Sequence, residues 1–178
     1  MKKIAIIGII GILGMIVSAC QRNTPSGYRG FPKEYTTCYQ EIYGHCYDSI
    51  PYAVVALDLY SEGLELDKEH RMKGTGYNLY LSDIIVPDSL LEDGNYRSDV
   101  SAEPFTFLPG RDFEGTPHGM YLLTIEEGQL THIQVLDSGR FAYRNDSLLF
   151  TLYYKNSYGY RVTYSPVFQG TLLPWVKQ

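Results

Sequence analysis

The chain has 178 residues, with 20 acidic side chains against 15 basic ones and a formal net charge of −5. That balance lacks the basic footprint that nucleic-acid phosphates demand, so nucleic acid is excluded as a partner. No HExxH, GxSxG or Gly-Lys-Ser/Thr phosphate loop occurs, which removes the enzymes recognised by such strings and implies no cofactor.

The chain opens Met1-Lys2-Lys3 and continues as an apolar run from Ile4 to Val17 before Ser18, Ala19 and Cys20. Cations, a short apolar run and small residues are the layout of a secretory signal peptide. A membrane-crossing helix needs about 20 apolar residues, and here polar residues begin at Gln21. Val17-Ser18-Ala19-Cys20 resembles the lipobox of bacterial lipoproteins. The resemblance implies that signal peptidase reads Val17, Ser18 and Ala19. It also implies that Cys20 takes a diacylglycerol and, after cleavage, an acyl chain on its new amino terminus. Cleavage before Cys20 removes two lysines and no acid, leaving 159 residues with 13 basic and 20 acidic, a net charge of −7. The partner implied is then the membrane, held through lipid and not through charge.

The mature chain is one domain's worth of sequence. Residues 20–36 carry Asn23, Thr24, Pro25, Ser26, Gly27, Gly30 and Pro32 without apolar periodicity, and read as a flexible tether. Tyr28, Phe31 and Tyr35 leave open that its second half packs on the domain. With Cys20 lipidated, Cys38 and Cys46 form an even pair in an oxidising compartment and are expected as a disulfide closed over Gly44. A metal site on Cys38, His45 and Cys46 lacks a fourth ligand at recognisable spacing.

From residue 37 to 178 the chain reads as strands. Tyr52 to Tyr60 and Leu64 to Asp67 flank Ser61-Glu62-Gly63, which suggests a hairpin, and a charged loop follows to Gly74. Tyr77, Leu79 and Leu81 alternate with polar residues, and Ile84 to Val86 stops at Pro87. Asp93-Gly94 turns into Asn95 to Arg97, and Phe105 to Leu108 is another short strand. Dense punctuation makes 109–119 the longest loop. Met120 to Ile125, Leu130 to Leu136, Phe141 to Arg144, Leu148 to Tyr154, Tyr158 to Tyr164 and Val167 to Leu173 complete the pattern. Strands at 8- to 12-residue spacing predict an all-β fold, a single antiparallel β-sandwich or small β-barrel. A calycin-like barrel with an internal pocket is one version of the latter.

Asp93-Gly94-Asn95-Tyr96, Leu108-Pro109-Gly110 and Glu127-Gly128-Gln129-Leu130 before Gly139-Arg140-Phe141 are similar to strings in a broad group of uncharacterised Bacteroidetes all-β lipoproteins. That group implies no defined activity. Surface-displayed lipoproteins of such bacteria often carry acids just behind the Cys. Gln21-Arg22-Asn23 departs from that pattern, which favours the periplasmic face of the outer membrane over the cell surface. Asp48-Ser49-Ile50, Asp88-Ser89-Leu90 and Asp146-Ser147-Leu148 resemble the O-glycosylation acceptor of that phylum.

The expected function is a lipid-anchored, non-enzymatic binding or structural module for a glycan, a small apolar ligand or an envelope protein. Tyr153, Tyr158 and Tyr160, with Arg111 and His118 in the long loop, are the candidate contacts, because exposed rings stack on sugars or anchor partners. The alternative is an envelope hydrolase with Asp112, Glu114 and His118 near its site. Asp93, Asn95 and Asp99 have calcium-loop spacing, but Arg97 would place a cation among the ligands.

Overall fold

A computed structural model describes residues 30–175. The signal segment, the Val17-Ser18-Ala19-Cys20 box and the first part of the tether lie outside them. Seventeen strands follow in order: β1 (Glu34–Tyr35), β2 (Thr37–Gly44), β3 (Ala53–Tyr60), β4 (Leu64–Leu66), β5 (Met72–Gly74) and β6 (Gly76–Val86). Then come β7 (Gly94–Ser98), β8 (Thr106–Phe107), β9 (Arg111–Phe113), β10 (Thr116–His118), β11 (Met120–Glu126) and β12 (Gln129–Val135). β13 (Ser138–Arg144), β14 (Ser147–Lys155), β15 (Arg161–Tyr164), β16 (Val167–Gln169) and β17 (Leu173–Pro174) finish the fold. The fold is all-β, as the strand spacing predicts.

One sheet of 13 strands runs β1-β16-β14-β13-β7-β8-β6-β3-β2-β17, with β11 and β12 branching from β6 and β15 from β14. Most pairings are antiparallel. Three short ones, β1 with β16, β7 with β8 and β17 with β2, are parallel, so the sheet is mixed. Only Thr36 separates β1, near one end of the strand order, from β2, near the other. Its N–H donates to Tyr60 O at 2.9 Å, so the chain passes from β16 to β3 across one residue and the sheet curls into a barrel-like shell.

The turns follow local chemistry. Asn145 and Asp146 both take positive φ between β13 and β14, and Glu127-Gly128 does so between β11 and β12, as two-residue hairpin turns require. The inner face is filled with side chains: Leu57, Leu59, Leu79, Leu81, Phe107 and Leu122 are fully buried. Tyr96 stacks on Phe141 with ring centroids 4.5 Å apart and planes 5° apart. Every residue of β3 is buried, and at its Tyr60 end a smaller apolar cluster gathers with Leu64 and Ile125.

Three expectations are corrected. The Cys38–Cys46 disulfide is absent: both thiols are free, Cys38 in the core and Cys46 exposed. Tyr39 to Tyr43 form strand, not loop, and six residues of strand separate Cys38 from Gly44 by about 20 Å. Two further residues recover at most about 7 Å, whereas a disulfide needs Cα atoms within about 7 Å. Secondly, β4 pairs with β5 and not with β3. Gly63 and Gly74 make that pairing possible, since a Cβ on Gly74 would lie 2.1 Å from Gly63 O. Thirdly, the tether's second half belongs to the domain. Tyr35 is in the core and its hydroxyl shares a 2.8 Å hydrogen bond with that of Tyr164, while Phe31 packs edge-on against Tyr77, Tyr154 and Tyr164.

Candidate functional site

The most distinctive local geometry lies in the middle of β6. Val55 pairs with Ile84 and Leu57 with Leu81, so Ser82 and Asp83 together oppose the single residue Ala56. This is a β-bulge, which bends a strand and re-aims a side chain. Asp83 adopts φ 53°, a left-handed conformation that Gly takes most readily and Asp tolerates at some expense. The bulge also marks where β6 changes neighbours, from β11 over residues 76–81 to β8 at Ile85.

Beside the bulge is a cleft of about 230 Å³, walled mainly by Ile50, Ile85, Val100, Ala102 and Leu108, with the carboxylates of Asp83 and Asp99 in its lining. Two more residues here take positive φ, Ala102 at 55° in the lining and Phe105 at 63° just behind it. Left-handed non-glycine residues persist only where surrounding structure holds them, and they gather at ligand sites. Tyr47, also in the lining, donates a 2.6 Å hydrogen bond to Asp83 Oδ1, while the Ser82 hydroxyl donates at 2.6 Å to Oδ2. The bond to Asp83 is the main cause that pushes the Tyr47 hydroxyl up to about 12, so it remains a donor at neutral pH. Asp99 accepts the Ser101 N–H at 3.0 Å, and that backbone bond holds its carboxyl below the usual range.

A second polar feature sits on the outer face of the same sheet. Asp58 is buried on β3, accepting 2.5 Å hydrogen bonds from the Tyr60 hydroxyl and from Asn78 Nδ2. Burial pushes its carboxyl up to about 6, against the lowering effect of both donors. Nearby, Tyr43 donates to Glu41 and shares a 3.1 Å bond with the Tyr80 hydroxyl, and Tyr80 stacks on Tyr121. These groups satisfy one another within the face.

The candidate contacts named from sequence are dispersed. Arg111, Asp112, Glu114 and His118 lie on a two-stranded ribbon, β9 with β10, and all four are exposed. Asp112 Oδ1 accepts the Gly115 N–H at 2.9 Å and so caps the ribbon's turn. The 109–119 segment is therefore a projecting hairpin. Tyr158 and Tyr160 occupy the β14–β15 turn, 82% and 71% exposed, held by Asn156 Oδ1, which accepts both their N–H groups at 3.0 Å. Tyr153 lies under the Arg161 guanidinium, 4.0 Å from the ring centroid. Among the described residues no group of three His, Cys, Asp or Glu side chains could hold a metal, and Cys38 is remote in character from exposed His45 and Cys46.

Reading by motif misses Tyr47, Asp83 and the cleft. One signal was available: inward apolar residues fall at odd positions to Leu81 and at even positions from Ile84, and only an inserted residue can switch a period of two. Asp99, considered for calcium with Asp93 and Asn95, lines the cleft instead. Compared with known protein families, curated proteins and solved structures, the chain matches none.

Proposed function

We propose that the chain is a lipid-anchored lipoprotein of the outer membrane, facing the periplasm, and that its domain is a non-enzymatic binding module for a small ligand. The anchor would be Cys20, on the strength of the Val17-Ser18-Ala19-Cys20 string. The observation that carries the binding role is the cleft beside the β6 bulge, where strained backbone, apolar walls and two carboxylates converge. Pockets of this make-up, mostly apolar with a few placed polar groups, are the usual form of a small-ligand site.

Two measurements test this reading. Cells fed labelled palmitate should label the wild-type chain and leave Cys20→Ser unlabelled; label in the variant refutes the anchor. A small-fragment screen should find ligands that bind wild type and not Val100→Trp, whose indole would fill the cleft from its exposed wall. Fragments indifferent to that substitution would sink the cleft as the site.

A further inference from the structure

We infer that the cleft recognises a small organic cation, a primary ammonium carried on a short apolar tail. This rests on the reading of the cleft as the binding site, and adds to it the chemistry of the ligand.

Asp83 brings a carboxylate to the lining. Its two hydrogen-bond donors, Tyr47 and Ser82, are neutral hydroxyls, and among the described residues no cationic side chain lies within salt-bridge distance of it. A carboxylate offers about four acceptor directions, and here each oxygen uses one. Two remain for an incoming donor. The second carboxylate, Asp99, has one cationic neighbour, Arg97 Nε at 3.4 Å, on a side chain 70% exposed, and such a contact neutralises little. Among the described residues no Lys, Arg or His lines the cleft. An anionic ligand would meet two like charges there, and a neutral one would cover Asp83 while leaving its charge unpaired. A cation pairs with it.

The walls set the rest of the ligand. Ile50, Ile85, Val100 and Leu108 offer hydrocarbon and no donor, which suits an alkyl tail. A volume of about 230 Å³ is small for a ligand pocket, so the tail is short. Asp83, whose left-handed φ of 53° is one that Asp tolerates, thus stands in the lining at the bulge.

The test uses the full chain in nanodiscs, isotope-labelled, with amide spectra recorded during titration by n-hexylammonium, n-hexanol or n-hexanoate. Hexylammonium should saturably shift the Tyr47, Asp83 and Val100 amides at least ten-fold more tightly than hexanol, with hexanoate causing no saturable shift. Asp83→Asn should weaken hexylammonium ten-fold or more and leave hexanol unchanged. Asn tolerates left-handed backbone, and unchanged amide positions away from the bulge report an intact fold. Asp99→Asn, elsewhere in the lining, should weaken hexylammonium by a smaller factor, and serves alone if the first variant unfolds. Equal affinity for hexanol or hexanoate, or full hexylammonium affinity in both variants, overturns ammonium recognition while keeping the cleft as a site. Failure of every probe to shift the cleft amides overturns both.

Discussion

Asn78 and Asp58 face outward from neighbouring strands β6 and β3, joined by a 2.5 Å hydrogen bond in which the amide donates to a buried carboxylate. The same amide donates to Leu59 O at 3.1 Å, and Tyr60 closes the other carboxylate oxygen. Asp58 is 6% exposed, and desolvation outweighs both donors, leaving its carboxyl at about 6. A polar group thus sits at a position where burial opposes its charge.

That imbalance makes stability pH-dependent with a definite sign. In the unfolded chain Asp58 titrates near the ordinary value of about 4, so between pH 4 and 6 the folded state binds more protons. Stability therefore falls as pH rises through this window and is flat above it, by up to about 3 kcal/mol for a shift of about two units. Asp67 and Asp99, held below the usual range chiefly by backbone N–H donors, act in the opposite sense at lower pH. Urea midpoints from pH 4 to 7 should show the decline in wild type and its loss in Asp58→Asn. An unchanged slope in the variant would assign the effect elsewhere.

Core packing supplies a second expectation. Phe141 stacks on Tyr96 and contacts Phe107 and Phe150, with ring centroids 5.4 and 5.5 Å away. Phe141→Ala should cost about 3 to 5 kcal/mol, from lost transfer energy and the cavity left between three rings. Tyr96→Phe keeps the stack but loses the hydroxyl's two bonds, to Glu92 N at 3.1 Å and Glu92 O at 2.9 Å. Its cost should be about 1 to 2 kcal/mol. Denaturant unfolding that ranks the two variants in the reverse order would contradict this packing.

Two glycines distinguish crowding from conformation. A Cβ on Gly110 would lie 2.1 Å from Met120 O and 2.3 Å from Leu136 O, both backbone atoms, where β8, β11 and the end of β12 converge. Gly110→Ala should lower stability by about 3 kcal/mol or more, since the backbone must separate to admit the methyl. Gly115 has φ 81° with nothing within 4 Å, so Gly115→Asn, which tolerates that backbone, should cost under about 1 kcal/mol. Melting temperatures of the two variants provide the comparison.

Much of this fold is legible in the sequence where the period of two is unbroken and a two-residue turn joins neighbours. The hairpin of β13 and β14 is such a case, with Asn145-Asp146 as its turn. What is hidden has three physical causes. Non-local partners leave no local trace, as where β1 pairs with β16 and Thr36 bridges the two ends of the strand order. Punctuation marks turns and short ribbons alike, so Phe113-Glu114-Gly115-Thr116 reads as loop although it turns β9 into β10. The cleft unites Tyr47, Asp83 and Asp99 from three separated segments, and no spacing rule connects them. The abundant tyrosines divide between core and surface, with Tyr154 in the core and Tyr158 exposed in the β14–β15 turn.

The two cysteines provide the sharpest contrast between composition and geometry. An even pair in an exported chain argues for a disulfide, yet the β2 strand holds Cys38 inward while Cys46 lies exposed beyond its end. Burial pushes the Cys38 thiol well above its ordinary range, so it resists oxidation and alkylation in the folded state, whereas Cys46 meets reagent at once. Thiol titration of the Cys20→Ser chain without reductant should therefore give one fast equivalent when folded and two when denatured. Zero equivalents in denaturant would restore the bridge and require β2 to be broken between residues 38 and 46. A single equivalent in both states would mean that one thiol is consumed elsewhere. The strand register of Cys38 with Leu59 decides which outcome is expected, since a residue paired there and facing the core cannot meet the loop beyond Gly44.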